Sequence, residues 1–180
     1  MDAIIASVIF VLALSLLASH WFALRAQNES RNSFLQEDAS RLSESLMQNG
    51  DPANWYEQPG QAFTAGYALN GYGMGVLNYT SLKNSSVYLD PVVFSAKYKA
   101  ARDLMATPAE FYITVNTSLP GSAPPRSQQL PLITIGREPR NATQAVQVRR
   151  GVVLITNNTL NTYYHYGIMT LTLWTNRSNI

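Results

Sequence analysis

The chain has 180 residues, no cysteine, 13 Lys and Arg against 11 Asp and Glu, and only 13% charged residues. Absence of cysteine excludes a disulfide framework and thiolate chemistry, and the scattered, nearly balanced charge gives no nucleic-acid footprint. Polar surface comes instead from Asn, Ser, Thr, Gln and ten Tyr, so solubility depends little on electrostatic repulsion.

Ala3 to Leu24 is a run of 22 residues whose only polar side chains are Ser7, Ser15, Ser19 and His20. At 1.5 Å per residue such a helix measures roughly 33 Å, the thickness of a bilayer's hydrocarbon core. Only Met1 and Asp2 precede it, whereas Arg25 and Arg31 follow. A cleaved secretory signal has the opposite order, with basic residues in front and a small-residue cleavage site behind. Within the run Ala3, Ser7, Ser15, Ser19 and Ala23 fall on a four-residue ladder interrupted only by Val11. Small residues at that spacing let helices approach closely where water is absent, so these six positions are candidates for helix–helix assembly.

The helical period continues through Phe34, Leu35, Ala39, Leu42, Leu46 and Met47, now with a single apolar stripe. Gly50-Asp51-Pro52 supplies a stop. One long helix is therefore expected from about Asp2 to Gln48, apolar over 1–25 and amphipathic over 26–49. The amphipathic half lies on a domain at 50–180, with Glu29, Glu37, Asp38 and Glu44 on its solvated side. About 130 residues remain for one globular domain.

After a loop through Trp55 and Pro59, Ala62 to Leu77 reads as a strand or two with tight turns. Asp90-Pro91 reads as an N-cap and first helical position for a helix over Val92 to Met105, ended by Thr107-Pro108. The period then alternates in β-branched and aromatic runs, Phe111 to Thr117, Leu130 to Ile135, Ala145 to Thr156 and Tyr164 to Thr175. Leu119 to Gln129 reads as a long exposed loop and Asn157 to Asn161 as a hairpin turn. The expected fold is α+β: a long N-terminal helix with a C-terminal antiparallel β-sheet domain.

Seven N-x-[ST] sequons follow the apolar run, at Asn28, Asn78, Asn84, Asn116, Asn141, Asn157 and Asn176. With 14 Asn and 29 Ser plus Thr among 180 residues, chance supplies roughly two. Seven point to an external, N-glycosylated domain. Charge counting around the run instead places the following chain inside the cell. The two signals agree if a short basic leader ahead of Met1 is removed and the apolar run is retained.

Chemistry-bearing patterns are sparse. His20 lies in the apolar run, and His165 sits among Tyr163, Tyr164 and Tyr166, where a packed or surface side chain is the simpler reading. No converging ligand set suggests a metal. Gly71-Tyr-Gly73-Met-Gly75 lacks the Lys-[ST] ending and following helix of a phosphate loop, so tight turns explain it better. The Tyr-rich stretches Tyr67 to Tyr79 and Tyr163 to Tyr166 suit subunit contacts or sugar stacking, with ordinary sheet packing the simpler reading. No enzymatic activity and no cofactor is expected, only N-linked glycans.

Leu42-Ser-Glu-Ser-Leu46 through Gly50-Asp-Pro-Ala-Asn54-Trp55 resembles the helix-end segment of archaeal proteins with class III signal peptides, which closes in a G-x-P-x-N-W-like pattern. Leu89-Asp90-Pro91 and Tyr98-Lys99-Ala-Ala-Arg-Asp-Leu104-Met105 are similar to that family's following helix, and Phe111-Tyr-Ile-Thr to its next strand. The opening Asp2-Ala-Ile-Ile-Ala-Ser is similar to mature starts left after cleavage at a Lys-Gly-Gln-type signal. The resemblance covers the first two thirds of the chain. It implies an archaeal type IV pilin, trimmed by a prepilin peptidase and extruded by an assembly ATPase and membrane platform into a homopolymeric filament used for adhesion. Bacterial pilins place a Glu early in the mature helix to meet a neighbour's amine; the matching residue here is Ile5, so that contact is absent, with Asp2 the nearby acid that would substitute. Alternatives are an archaellum or minor pilin subunit, or a monomeric, membrane-anchored surface protein that binds a glycan or solute.

Overall fold

The computed structural model describes the backbone of residues 2–117, 130–157 and 162–176, and their side chains except at 2–9, 11, 28, 31 and 157. The chain divides into two compact units, Met1–Phe34 and Leu35–Ile180. Helix α1 spans Asp2–Leu46, its earlier part belonging to the first unit and its last three turns to the second.

In the first unit the helix is built from Ala- and Leu-rich sequence that loses little side-chain entropy on becoming helical. Its serines add local bonds: the Ser19 hydroxyl donates to the Leu16 carbonyl at 2.9 Å and that of Ser33 to Ser30 at 2.8 Å. Arg25 and Glu29 form an exposed ion pair one turn apart.

In the second unit Leu35, Ala39, Leu42 and Leu46 are buried along one row of α1 and enter the core. Two expectations need correction here. Phe34 is exposed rather than part of this stripe, because it lies off the Leu35–Leu46 row. Asp38 is buried rather than solvated: it is ion-paired with Arg41, which also donates to the Met105 carbonyl at 3.1 Å.

The helix ends at Leu46, short of the Gly50 stop, in tight turns closed by Met47 N–H to Glu44 and Gln48 N–H to Ser45. Gly50 has another task. It sits in β1 (Asn49–Asp51), which pairs antiparallel with β2 (Thr64–Tyr67). A Cβ at Gly50 would lie 2.5 Å from Trp55 Cδ1, and one at Gly66 would lie 2.2 Å from the Gln48 carbonyl oxygen. Gly50 thus admits the Trp55 ring, whose indole N–H donates to the Gly66 carbonyl at 2.8 Å, and Gly66 admits the close approach of the Gln48 backbone. Two single 3-10 turns, Trp55–Glu57 and Pro59–Gln61, occupy the segment expected to be a loop.

The Gly71–Gly75 stretch makes tight turns, with positive φ at Gly71 and Gly75, and leads into β3 (Val76–Asn78). Helix α2 (Tyr79–Tyr88) was not anticipated. Its Ser-rich sequence has modest propensity, but the Asn78 side chain caps it by accepting from Ser81 N–H, and Leu82 and Ser85 are buried. Helix α3 spans Ser95–Leu104 rather than 92–105. The Asp90 carboxylate accepts from the N–H groups of Val92 and Val93 and closes a separate turn first.

Strands β4 (Glu110–Asn116), β5 (Ile133–Gly136), β6 (Gln144–Asn157) and β7 (Thr162–Thr175) complete a five-stranded sheet of order β3-β6-β7-β4-β5. The sheet is mixed, which corrects the expected antiparallel one: β3 runs parallel to β6, Val76 to Asn78 facing Val153 to Ile155. Chain between β3 and β6 includes two helices, long enough for the crossover a parallel pair requires. The α+β class is as expected. The expected loop at Leu119 to Gln129 and the hairpin turn after Asn157 lie outside the described residues, although Asn157 pairs in register with Thr162.

Alternation along paired strands separates the two faces of the sheet. Phe111, Ile113 and Val115 on β4, Met169, Leu171 and Leu173 on β7, Leu154 on β6, Leu77 on β3 and Ile133 and Ile135 on β5 are buried on the inner face, in one core with the α1 row. Arg150, opposite Met169 on that face, donates to Ser43 Oγ at 3.2 Å and to Glu44 at 3.4 Å, tying β6 to α1. The outer face is mostly solvated.

Candidate functional site

The described part of the apolar run comprises Phe10 and Leu12 to Leu24. Phe10, Leu12, Leu14, Leu16, Leu17, Trp21, Phe22 and Leu24 are all exposed, Leu16 by 70% and Trp21 by 69%. At 3.6 residues per turn they occupy every side of the helix, so no rotation hides them against a single neighbour. Full burial of such a side chain stabilises by roughly 1.5–3 kcal/mol, which gives these eight a driving force on the order of 10 kcal/mol or more. Among the described residues no helix is long and apolar enough to cross a membrane.

The six predicted assembly residues divide by what is described. Ser15, Ser19 and Ala23 lie on one exposed stripe of α1. Side chains of Ala3, Ser7 and Val11 lie outside the described residues. The Ser19 hydroxyl is already bonded to a backbone carbonyl of its own helix, so burying it against another helix leaves no unpaired donor.

The sequons are not gathered into one site. Asn116, at the end of β4, and Asn141, in the β5–β6 connection, are exposed, and Asn141 has a φ of 57°, a left-handed conformation that Asn tolerates. Asn78, Asn84 and Asn176 are half-buried, at the cap of α2, within α2 and just past β7. Side chains of Asn28 and Asn157 lie outside the described residues.

The tyrosines divide as well. Tyr67 is in the core against Trp55, at 5.6 Å between ring centroids, whereas Tyr163, Tyr164 and Tyr166 are exposed. Ordinary sheet packing therefore does not account for the second group. Tyr164 and Tyr166 share the outer face with Ile168, and beside them a shallow cleft of about 280 Å³ is lined by Met74, Val76, Gly151, Val153 and Tyr166. Repulsion from the neighbouring Tyr72 phenol, and then the hydrogen bond between the two, pushes the Tyr164 pKa up. His165, on the opposite face of β7, lies 3.2 Å from Thr156 Oγ1.

Sequence reasoning missed a buried polar network at the start of β4. Glu110 accepts from the Tyr98 hydroxyl at 2.7 Å and from Arg102 at 2.6 Å, with Arg137 at 3.6 Å. The Tyr98 oxygen also accepts from Phe111 N–H at 3.2 Å. Desolvation, and then the hydrogen bond to Glu110, pushes the Tyr98 pKa well up. Apart from the Arg-x-x-x-x-x-x-x-Glu spacing no sequence signal marks this group.

The larger cleft, about 420 Å³, lies between Asp90, Thr134, Arg137, Glu138, Arg140 and Trp174. Several of its polar groups are already engaged: Asp90 by its turn, Arg140 by Glu138 at 2.9 Å, and the Trp174 indole N–H by the Arg137 carbonyl at 3.0 Å. Among the described residues no group of three or more His, Asp or Glu is placed to hold a metal ion. No family model, curated protein or solved structure matches the chain.

Proposed function

We propose that this chain is the structural subunit of an extracellular filament of the type IV pilin kind, assembled through the first half of α1. The observation that carries the reading is the belt of large apolar side chains from Phe10 to Leu24, exposed on every side of the helix. A surface helix of an isolated domain presents one apolar stripe, and a helix apolar all round calls for burial all round. Identical helices packed side by side supply that burial outside a membrane, and the Ser15, Ser19, Ala23 stripe lets them approach closely.

Before assembly the whole run Ala3–Leu24 resides in the membrane in this proposal, since that complete run, unlike its described part, has the length of a bilayer core. A peptidase, an assembly ATPase and a membrane platform are the partners this route requires. The β-domain lies outside the cell, sugar-coated, and serves adhesion. An anchored monomer that binds a glycan or solute would keep the same belt in lipid.

Electron microscopy of material sheared from cells, with the chain identified in it by mass spectrometry, separates the two. Fibres of uniform diameter containing this chain are expected. A discrete detergent-extracted monomer with no fibres in the sheared fraction would refute the filament.

A further inference from the structure

On the outer face of the sheet, an aromatic and apolar patch lies where β3, β6 and β7 run side by side. The register gives its layout: Val76, Val153 and Tyr166 form one row, and Gly151 and Ile168 form the next. Tyr164, Tyr166 and Ile168 are exposed, and a side chain added at Gly151 would meet nothing within 4 Å. The first charged residue on this face is Arg149, one row further along β6. A flat, uncharged aromatic surface of this kind suits the C–H face of a sugar ring, with the phenol edges left to bond its hydroxyls.

A sugar source sits on the same rows. Asn116 ends β4 directly opposite Ile168, on the same face, and is exposed. Directly opposed side chains start about 5 Å apart at Cβ and diagonal ones about 7–8 Å, which puts Ile168 and then Tyr166 within reach of the first sugars on Asn116. Asn116-Thr117-Ser118 is a sequon. Asn78 borders the patch from β3, opposite Ile155, but is half-buried, whereas Asn116 is exposed.

We propose that an N-glycan on Asn116 is the occupant of this patch, its first sugars lying across Ile168 and stacking on the Tyr166 ring. The proposal rests on the reading of the domain as glycosylated and names what one glycan does. The Asn116 Nδ2–sugar C1 bond forms as the sugar leaves a lipid-linked diphosphate donor, and the amide nitrogen gives up one proton. The attached sugar then works as an outer packing layer of the sheet and screens the patch from other copies of the chain.

The test uses the full-length protein isolated from its native cells, with hydroxyl-radical footprinting of tyrosines and mass spectrometry of the peptide containing Asn116. Ser118→Ala removes the sequon and leaves Asn116 in place; Asn116→Gln is the second variant, and unchanged protection of the core residue Tyr67 certifies the fold of either. A sugar on the wild-type peptide is expected, with Tyr166 oxidation rising about twofold in both variants, because a stacked sugar covers one of two ring faces. A glycosylated Asn116 with Tyr166 oxidation unchanged in the variants overturns the packing and leaves the glycosylated domain standing. A bare Asn116 overturns the proposal, and bare sequons elsewhere remove the wider reading too. Protection that persists in the variants and is lost on dilution assigns the patch to a second copy and equally overturns it.

Discussion

Tyr67→Phe and Tyr98→Phe delete the same hydroxyl from two buried tyrosines and are expected to have opposite effects on stability. The Tyr67 hydroxyl is buried and makes no hydrogen bond of normal geometry, although the Ser85 hydroxyl lies close enough to offset part of the cost of burial. An unsatisfied buried polar group costs about 1–3 kcal/mol. With the Ser85 offset, Tyr67→Phe is expected to stabilise by about 1 kcal/mol and to raise Tm by about 2–4 °C. The Tyr98 hydroxyl, by contrast, donates to the Glu110 carboxylate at 2.7 Å and accepts from Phe111 N–H at 3.2 Å. A bond to a charged group contributes about 1.5–3 kcal/mol, and its removal also strands a buried amide, so Tyr98→Phe is expected to cost about 3 kcal/mol and lower Tm by about 6–12 °C.

Alkaline titration adds an independent reading of the same pair. Burial raises both pKa values above the ordinary tyrosine value. A raised folded-state pKa means that the stabilisation is fully present below about pH 10 and is lost as pH climbs toward the folded value. Each tyrosine contributes a slope of up to about 1.4 kcal/mol per pH unit in that window, and each Phe variant removes one such contribution. The assay is thermal unfolding of the full-length chain in mild detergent, followed by near-UV circular dichroism at pH 7 and above pH 10. A loss beyond about 1 kcal/mol in Tyr67→Phe, or a change under about 0.5 kcal/mol in Tyr98→Phe, would refute the assignment of partners to these hydroxyls.

Four further outcomes are expected. Ser15→Leu, placing a bulky residue on the small-residue stripe of α1, is expected to reduce filament yield in sheared fractions while leaving the circular dichroism of the domain unchanged; normal fibres would make the stripe incidental. A chain beginning near Asn28 is expected to remain soluble without detergent, and its aggregation in gel filtration would argue against the apolar run as the sole anchor. Glu110→Gln is expected to cost about 3 kcal/mol in thermal unfolding, the low end for breaking a buried pair, because Arg102 keeps the Pro108 carbonyl at 2.6 Å. Gly66→Ala is expected to cost about 1–3 kcal/mol or more, since its Cβ meets backbone at Gln48 rather than a flexible side chain; an unperturbed melt would mean that β1 and β2 separate freely.

Elements with a strong period were legible from the residues. The row Leu35, Ala39, Leu42, Leu46 announces α1, and the β-branched and aromatic runs from Phe111 and from Tyr164 announce β4 and β7. What escaped was set by tertiary contact. Helix α2 has a Ser-rich sequence of modest propensity, and its start depends on Asn78, which doubles as a sequon residue. The parallel pairing of β3 leaves no mark in Val76 to Asn78, because three residues do not carry a direction. Asp38 looked solvated because its partner Arg41 and the Met105 carbonyl that Arg41 reaches meet only in three dimensions. Of the candidate site, the apolar belt was fully legible as a run, whereas the tyrosine patch required the register: Tyr164 and Tyr166 are exposed because the inward set on β7 is Met169, Leu171 and Leu173.

The sheet's two borders are short, β3 with three residues and β5 with four. Wherever many such domains crowd together, strand-to-strand annealing between molecules is the reaction that competes with ordered assembly. The β5 border offers an incoming strand few amide groups to template on and stops at Gly136, whose φ of +89° turns the backbone out of extended form, whereas β3 covers only Val153 to Ile155 of β6 and, among the described residues, no strand pairs with Gln144 to Val152 on that side. The β5 border is therefore a poor template for such annealing, and the uncovered stretch of β6 is the edge on which an incoming strand would find its amide groups.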